Sequence, residues 1–114
     1  MITRKVLSFS YRDNDVPNDA ALVIDCRPMR NPHHDPRLRD LTGTFSEVKD
    51  FVMTDPKFKL FFDDALQAAI AGDKVAFGCY GGRHRSVAMA ELIAKELRSL
   101  GHAVKVEHIA LGEH

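Results

Sequence analysis

Apolar and polar residues alternate from Val6 to Tyr11, the period of a half-buried strand, and Asp13-Asn14-Asp15 with Pro17-Asn18 then supplies turn chemistry. The run Ala20-Ala21-Leu22-Val23-Ile24-Asp25-Cys26 is short and almost continuously apolar, as a strand covered on both faces of a parallel sheet requires. Between Arg27 and Gly43 three prolines, four arginines and two histidines follow no period, which predicts an ordered surface loop. Thr44-Phe45-Ser46-Glu47 has the form of a capping box, and Val48, Phe51 and Val52 then share one helical face. Asp55-Pro56 places an N-cap and a first-turn proline ahead of Phe58, Phe61, Phe62, Ala65, Ala69 and Ile70, a second helix ending at Gly72 and expected to be the better anchored of the two. Lys74 to Tyr80 repeats the buried-strand pattern and stops at Gly81-Gly82. Helical spacing then links Val87, Ala90, Ile93, Ala94, Leu97 and Leu100 until Gly101, and Ala103 to Leu111 reads as a final strand.

The order β-β-α-α-β-α-β predicts an α/β protein, a compact single domain over residues 1–114 with about four mostly parallel strands and helices on the faces of the sheet. The length of 114 residues agrees, since single cores usually run to ~100–200 residues. A composition of 45% hydrophobic and 28% charged residues leaves enough apolar surface for a core and excludes long-range disorder. No stretch approaches the ~18–20 consecutive apolar residues of a membrane span, and no apolar segment follows the charges of Arg4 and Lys5, so no membrane partner and a cytoplasmic location are expected.

Sixteen basic and sixteen acidic side chains cancel, which argues against a protein that coats nucleic acid non-specifically. Their distribution is uneven. Six of the nine arginines, Arg27, Arg30, Arg37, Arg39, Arg83 and Arg85, fall in two short segments. Arginine's planar fork makes two-point contacts with phosphate or carboxylate, so anion recognition is the natural expectation. The turn between the third strand and third helix is the best place for it. A helix start leaves backbone N–H groups without partners and carries partial positive charge. Gly81 and Gly82 permit close approach, Arg83, His84 and Arg85 add cationic groups, and Ser86 can donate a hydroxyl bond. The competing reading is a plain glycine turn with solvated arginines; three cationic side chains in succession favour a ligand. If the two buried strands are parallel, Asp25 and the loop after it reach the same edge.

The motifs Asp25-Cys26-Arg27, Asn31-Pro32-His33, Asp35-Pro36-Arg37-Leu38-Arg39, Leu41-Thr42-Gly43 and Gly78-Cys79-Tyr80-Gly81-Gly82-Arg83-His84-Arg85-Ser86-Val87, over about residues 20–108, resemble the C-terminal domain of the RapZ (YvcJ-like) RNase adaptor family. The resemblance implies a sensor of an amino-sugar phosphate, glucosamine 6-phosphate, that is also an RNA-binding platform presenting RNA to a ribonuclease. It implies that His33, His84 and Arg85 hold the phosphorylated sugar, that Gly81 and Gly82 shape the loop, and that Asp25, Arg27 and Asn31 line or brace it. RNA contacts would fall on the arginine-rich loop, at Arg30, Arg37 and Arg39, where neighbouring copies in a homo-oligomer could pool their charge. Full-length relatives carry a nucleotide-binding domain with a GxxxxGK[ST] loop; nothing of that form occurs here, and neither ATP nor GTP binding is inherited. Tyr80 stands where the family usually has a small hydroxyl residue.

A shorter resemblance is to cysteine-dependent phosphatases, through Cys79 followed by five residues and Arg85-Ser86. It implies Cys79 as nucleophile, Arg85 as phosphate holder and Asp35 (or Asp25) as general acid. The longer match leads to a binding domain instead, so no catalytic residue is favoured. Cys26, Cys79, His33, His34 and His84 fit no paired metal-ligand spacing, and neither a metal nor a cofactor is expected. Two cysteines do not make a disulfide framework, and His102 and His108 read as surface residues.

Overall fold

The computed structural model describes residues 2–112. Its strands are β1 (Arg4–Ser10), β2 (Leu22–Asp25), β3 (Val75–Cys79) and β4 (Val104–His108), and its helices α1 (Ser46–Met53), α2 (Phe58–Ile70) and α3 (Arg85–Ser99). The strands form one sheet in the order β2-β3-β1-β4, and every neighbouring pair is parallel, with Val6 opposite Val75 and Val106, and Ile24 opposite Phe77. The α/β class and the order of elements follow the hydrophobic pattern.

Helices cover one face of this sheet rather than both. The β2-to-β3 and β3-to-β4 connections run in the same direction across the sheet, and right-handed crossovers in one direction place their helices on one side. There Val6, Ile24, Val75, Phe77 and Cys79 meet Val48 and Val52 of α1, Ala65 and Ala69 of α2, and Ala88, Met89, Ile93 and Leu97 of α3. The β1-to-β2 connection runs the opposite way without a helix; its ends, Tyr11 and Ala20, pack with Ile109 against Leu7, Phe9 and Ala76 on the other face. Two neighbouring strands, β1 and β3, therefore send their outgoing chains to opposite faces. That divergence opens a crevice at the carboxyl edge of the sheet, where open α/β folds gather ligands.

Several local expectations are corrected. Phe45, not Thr44, precedes α1 as its cap residue and makes no side-chain cap; the Thr44 hydroxyl turns back to Thr42 and the Ser46 hydroxyl bonds Glu47, so the capping box does not form. Asp55 caps a turn ahead of α2 instead of the helix itself: its Oδ1 accepts from Lys57 N–H and its Oδ2 from Arg30 N–H at 2.7 Å, fastening the 27–43 loop to the helical layer. α1 encloses Val48 and Val52, whereas the fully enclosed residues of α2 are the small Ala65 and Ala69, and Leu60 is 62% exposed. Phe58, Phe61, Phe62 and Leu66 of α2 pack half-buried against the same core. The last strand stops at His108 and turns into a short 3-10 segment, Ile109–Leu111.

His108, read as a surface residue, is buried. It lies opposite Ser8 in the β1–β4 register, bonds the Ser8 hydroxyl through Nδ1 at 2.7 Å, and bonds Glu91 of α3 through Nε2 at 2.9 Å. Lone histidines in sequence carry no sign of such partners because the pairing is set by strand register. The His108 bond holds the Glu91 carboxyl below its ordinary value of 4.5. A carboxylate depressed in the folded state stabilises the protein above its unfolded pKa, and that stability is lost as pH falls through the folded value. Melting temperature should therefore drop below about pH 4.5, and less so in Glu91→Gln. Thermal melts from pH 7 to 3 read this; equal slopes in both proteins would contradict it.

Candidate functional site

At the crevice edge lies a hollow of about 580 Å³, built from the ends of three strands. Arg12 comes from the chain after β1, Cys79, Tyr80, Gly81, Arg83, His84 and Arg85 from the β3–α3 turn, and Asn31, His33, Arg39 and Asp40 from the 27–43 loop. The β1 and β3 ends are tied together, with Tyr11 N–H donating to Cys79 O and Arg12 N–H to Tyr80 O at 2.9 Å. Gly82 takes φ +67°, and a Cβ there would stand 2.5 Å from the Ala110 side chain and 3.0 Å from that of Ser10, so the turn needs glycine on both counts. The 27–43 loop is closed over it by Gly43, whose N–H donates to Arg83 O at 2.8 Å.

Arg85 opens α3 and is enclosed. Its Nη1 donates to the carbonyls of Arg27 at 2.9 Å and Met29 at 3.1 Å, pinning the strap that follows β2. Its Nε is buried without any hydrogen-bond partner, and among the described residues the guanidinium makes no ion pair. A buried charge left partly unpaired is costly, and its natural complement is an anion. Arg12, Arg39 and Arg83 are exposed around the rim, where among the described residues Asp40 is the lone carboxylate, so the described side chains make the hollow net positive.

His84 contributes position rather than charge. Burial pushes its pKa below 6.5, leaving a neutral ring at pH 7, and its Nε2 must carry the proton because its partner at 3.1 Å is the Arg39 carbonyl, which can only accept. His33 is exposed, with its ring centroid 6.4 Å from that of His84, and Asn31 accepts from His33 N–H to cap the short 3-10 turn Pro32–His34.

The remaining expected residues are spread around the site. Ser86 is fully buried beneath the hollow, its hydroxyl 3.1 Å from Cys79 Sγ and its N–H 3.5 Å from the same sulfur. Asp25 and Arg27 form a two-point ion pair, with the guanidinium stacked 3.8 Å over the Tyr11 ring, and this pair lowers the Asp25 pKa. Arg27 lines a second, more open hollow on the other side of the strap, together with Arg30, His34 and Asp35. Asp35 binds Arg37 there; Arg85 lines both hollows, so it shares one with Cys79 and the other with Asp35. Arg30 stacks on Phe51 and donates to the Thr54 hydroxyl at 2.6 Å; Arg39 donates through Nε to His33 O. Arg12 was not legible as part of this site, because its meeting with Tyr80 depends on β1 lying beside β3. Among the described residues no group of His, Cys, Asp or Glu is placed to hold a metal, and no helix is long and apolar enough to cross a membrane.

This geometry can be set beside known proteins. A nucleotide-binding protein of Acidiphilium cryptum is 40% identical over 94% of this chain, one of Thermobifida fusca 41% over 94%, and one of Jannaschia sp. 44% over 91%. The chain spans only 39%, 40% and 36% of those relatives. The profile of the RapZ C-terminal domain matches residues 2–112, which takes in the strands, the helices and both loops of the hollow. Order of elements, loop motifs and this near-complete match agree: the chain belongs to the RapZ C-terminal domain family.

Proposed function

We propose that the hollow binds a phosphorylated small molecule and that the protein works as a binding or regulatory domain. The observation that carries this reading is Arg85, an enclosed guanidinium with an unpartnered Nε, at a hollow rimmed by three more arginines. The phosphate would lie against the Gly81 to Arg85 turn, within reach of the N-terminal end of α3. The names of the relatives as nucleotide-binding proteins agree with a phosphorylated ligand, although those proteins are more than twice the length of this chain.

The family likeness supplies finer proposals: glucosamine 6-phosphate as ligand, with RNA and a ribonuclease as partners. Among the arginines proposed for RNA, Arg37 is paired with Asp35 and Arg30 is held by Phe51, Thr54 and Asp55, whereas Arg39 sits on the rim of the hollow. Small-molecule binding therefore has the stronger support from geometry. Turnover by Cys79 has less, since Cys79 and Asp35 line different hollows.

Thermal-shift titration with inorganic phosphate, glucosamine 6-phosphate and unphosphorylated glucosamine tests the reading. A ligand at 100 times its Kd stabilises by about 2.7 kcal/mol, so the phosphorylated compounds should raise the melting temperature in proportion to dose and glucosamine should not. A flat response to all three, or steady phosphate release from an aryl phosphate that Cys79→Ser abolishes, would overturn it.

A further inference from the structure

We infer that the ligand of this hollow carries a flat aromatic ring beside its phosphate, as a nucleoside monophosphate does, and that Tyr80 selects for it; the inference rests on the phosphate reading above. Tyr80 directly follows β3 and lines the hollow with its side chain 59% exposed. Its backbone is held firmly. The Tyr80 carbonyl accepts from Arg12 N–H and from the Ser10 hydroxyl, each at 2.9 Å, so the lip that presents the ring is stiff. An aromatic side chain kept in water at so rigid a position forgoes the stabilisation that burial would bring, and a ligand ring can restore it.

The surroundings suit a planar guest. The Arg12 guanidinium lies 5.9 Å from the Tyr80 ring centroid, and the His33 and His84 rings line the same hollow. Rings and guanidiniums offer flat faces for stacking. A sugar rich in hydroxyls calls instead for side-chain carboxylates and amides, and among the described residues lining the hollow only Asp40 and Asn31 supply them; the Asn31 oxygen already accepts from His33 N–H. Size agrees as well. At about 580 Å³ the hollow falls among sites of ~300–1,000 Å³ that enclose whole cofactor-sized molecules, far more room than a phosphate group uses.

Calorimetric titration with adenosine monophosphate, ribose 5-phosphate, glucosamine 6-phosphate and inorganic phosphate tests this. Ribose 5-phosphate keeps the sugar and phosphate and lacks the base. Stacking predicts adenosine monophosphate to bind on the order of 10-fold more tightly than ribose 5-phosphate, with the gap closed by Tyr80→Ala and kept by Tyr80→Phe. An exposed side chain makes both variants safe to fold. Equal affinity for the two, tighter binding of glucosamine 6-phosphate than of adenosine monophosphate, or a gap that survives Tyr80→Ala overturns the ring inference and leaves phosphate binding standing. Failure of all four compounds to bind overturns both.

Discussion

Replacing Arg85 with alanine should weaken binding of inorganic phosphate by about 10- to 150-fold, the range expected for one hydrogen bond to a charged partner. Arg85 is the enclosed cation of the hollow, and its fork already has one nitrogen fixed on the Arg27 and Met29 carbonyls, so little freedom remains to be lost when an anion arrives. Removing it takes away the charge and also unpins the strap after β2, so a fall in melting temperature should accompany the lost affinity. Arg85→Lys separates the two effects. A lysine keeps the charge but has a single nitrogen, which cannot hold two carbonyls and an anion in the arginine's fixed geometry. Its affinity should lie between wild type and alanine. Affinity in Arg85→Ala within about twofold of wild type would mean that the anion is held elsewhere, because a direct charge-assisted bond is worth more.

Gly43→Ala should be among the most damaging single substitutions in the chain. A Cβ at Gly43 would stand 2.2 Å from Ala88 N, 2.4 Å from His84 O and 2.8 Å from Val87 C, all backbone atoms in the first turn of α3. None of these is the far end of a flexible side chain, so the loop or the helix start has to move. Overpacking of this kind costs about 1–3 kcal/mol and sometimes more. At about 4–8 °C per kcal/mol for a domain of slightly smaller size, the melting temperature should fall by about 4–24 °C. Phosphate affinity should fall with it, since Gly43 N–H holds Arg83 O and displacement of the loop carries Arg39 and Asp40 off the rim. A melt within about 1 °C of wild type would show that the loop is not clamped there, against the overpacking cost expected.

The strands and helices were legible because their hydrophobic periods are strong. Continuous apolar runs at 20–26 and 74–80 marked two parallel strands, and the spacing from Val87 to Leu97 marked α3. Of the two strands β3 is buried along its length, whereas β2 lies at the sheet edge with Val23 37% exposed, so it is not covered on both faces as its apolar run implied. The turn at 81–85 was legible as the break between β3 and α3, and Gly81, Arg83, His84 and Arg85 do line one hollow. What escaped depends on contacts distant in sequence. Strand order decides that Arg12 meets Tyr80 and that helices cover one face; neither follows from local periodicity. The same holds for His108, whose partners Ser8 and Glu91 lie 100 and 17 positions away. Pairing with aspartates of the same loop was the alternative to an RNA surface; Arg37 does pair with Asp35, and Arg27 pairs with Asp25, so the loop carries less free charge than its arginine count implies.

If the phosphate reading holds, an anion sits against the turn between β3 and α3. Reading the inorganic phosphate titration one backbone amide at a time, by nitrogen–proton NMR, tests it most directly. Gly81 to Arg85 should shift together with a single saturating affinity, and the Arg85 side-chain Nε–H should shift with them. Shifts confined to other segments, or none at this turn at saturating phosphate, would contradict it.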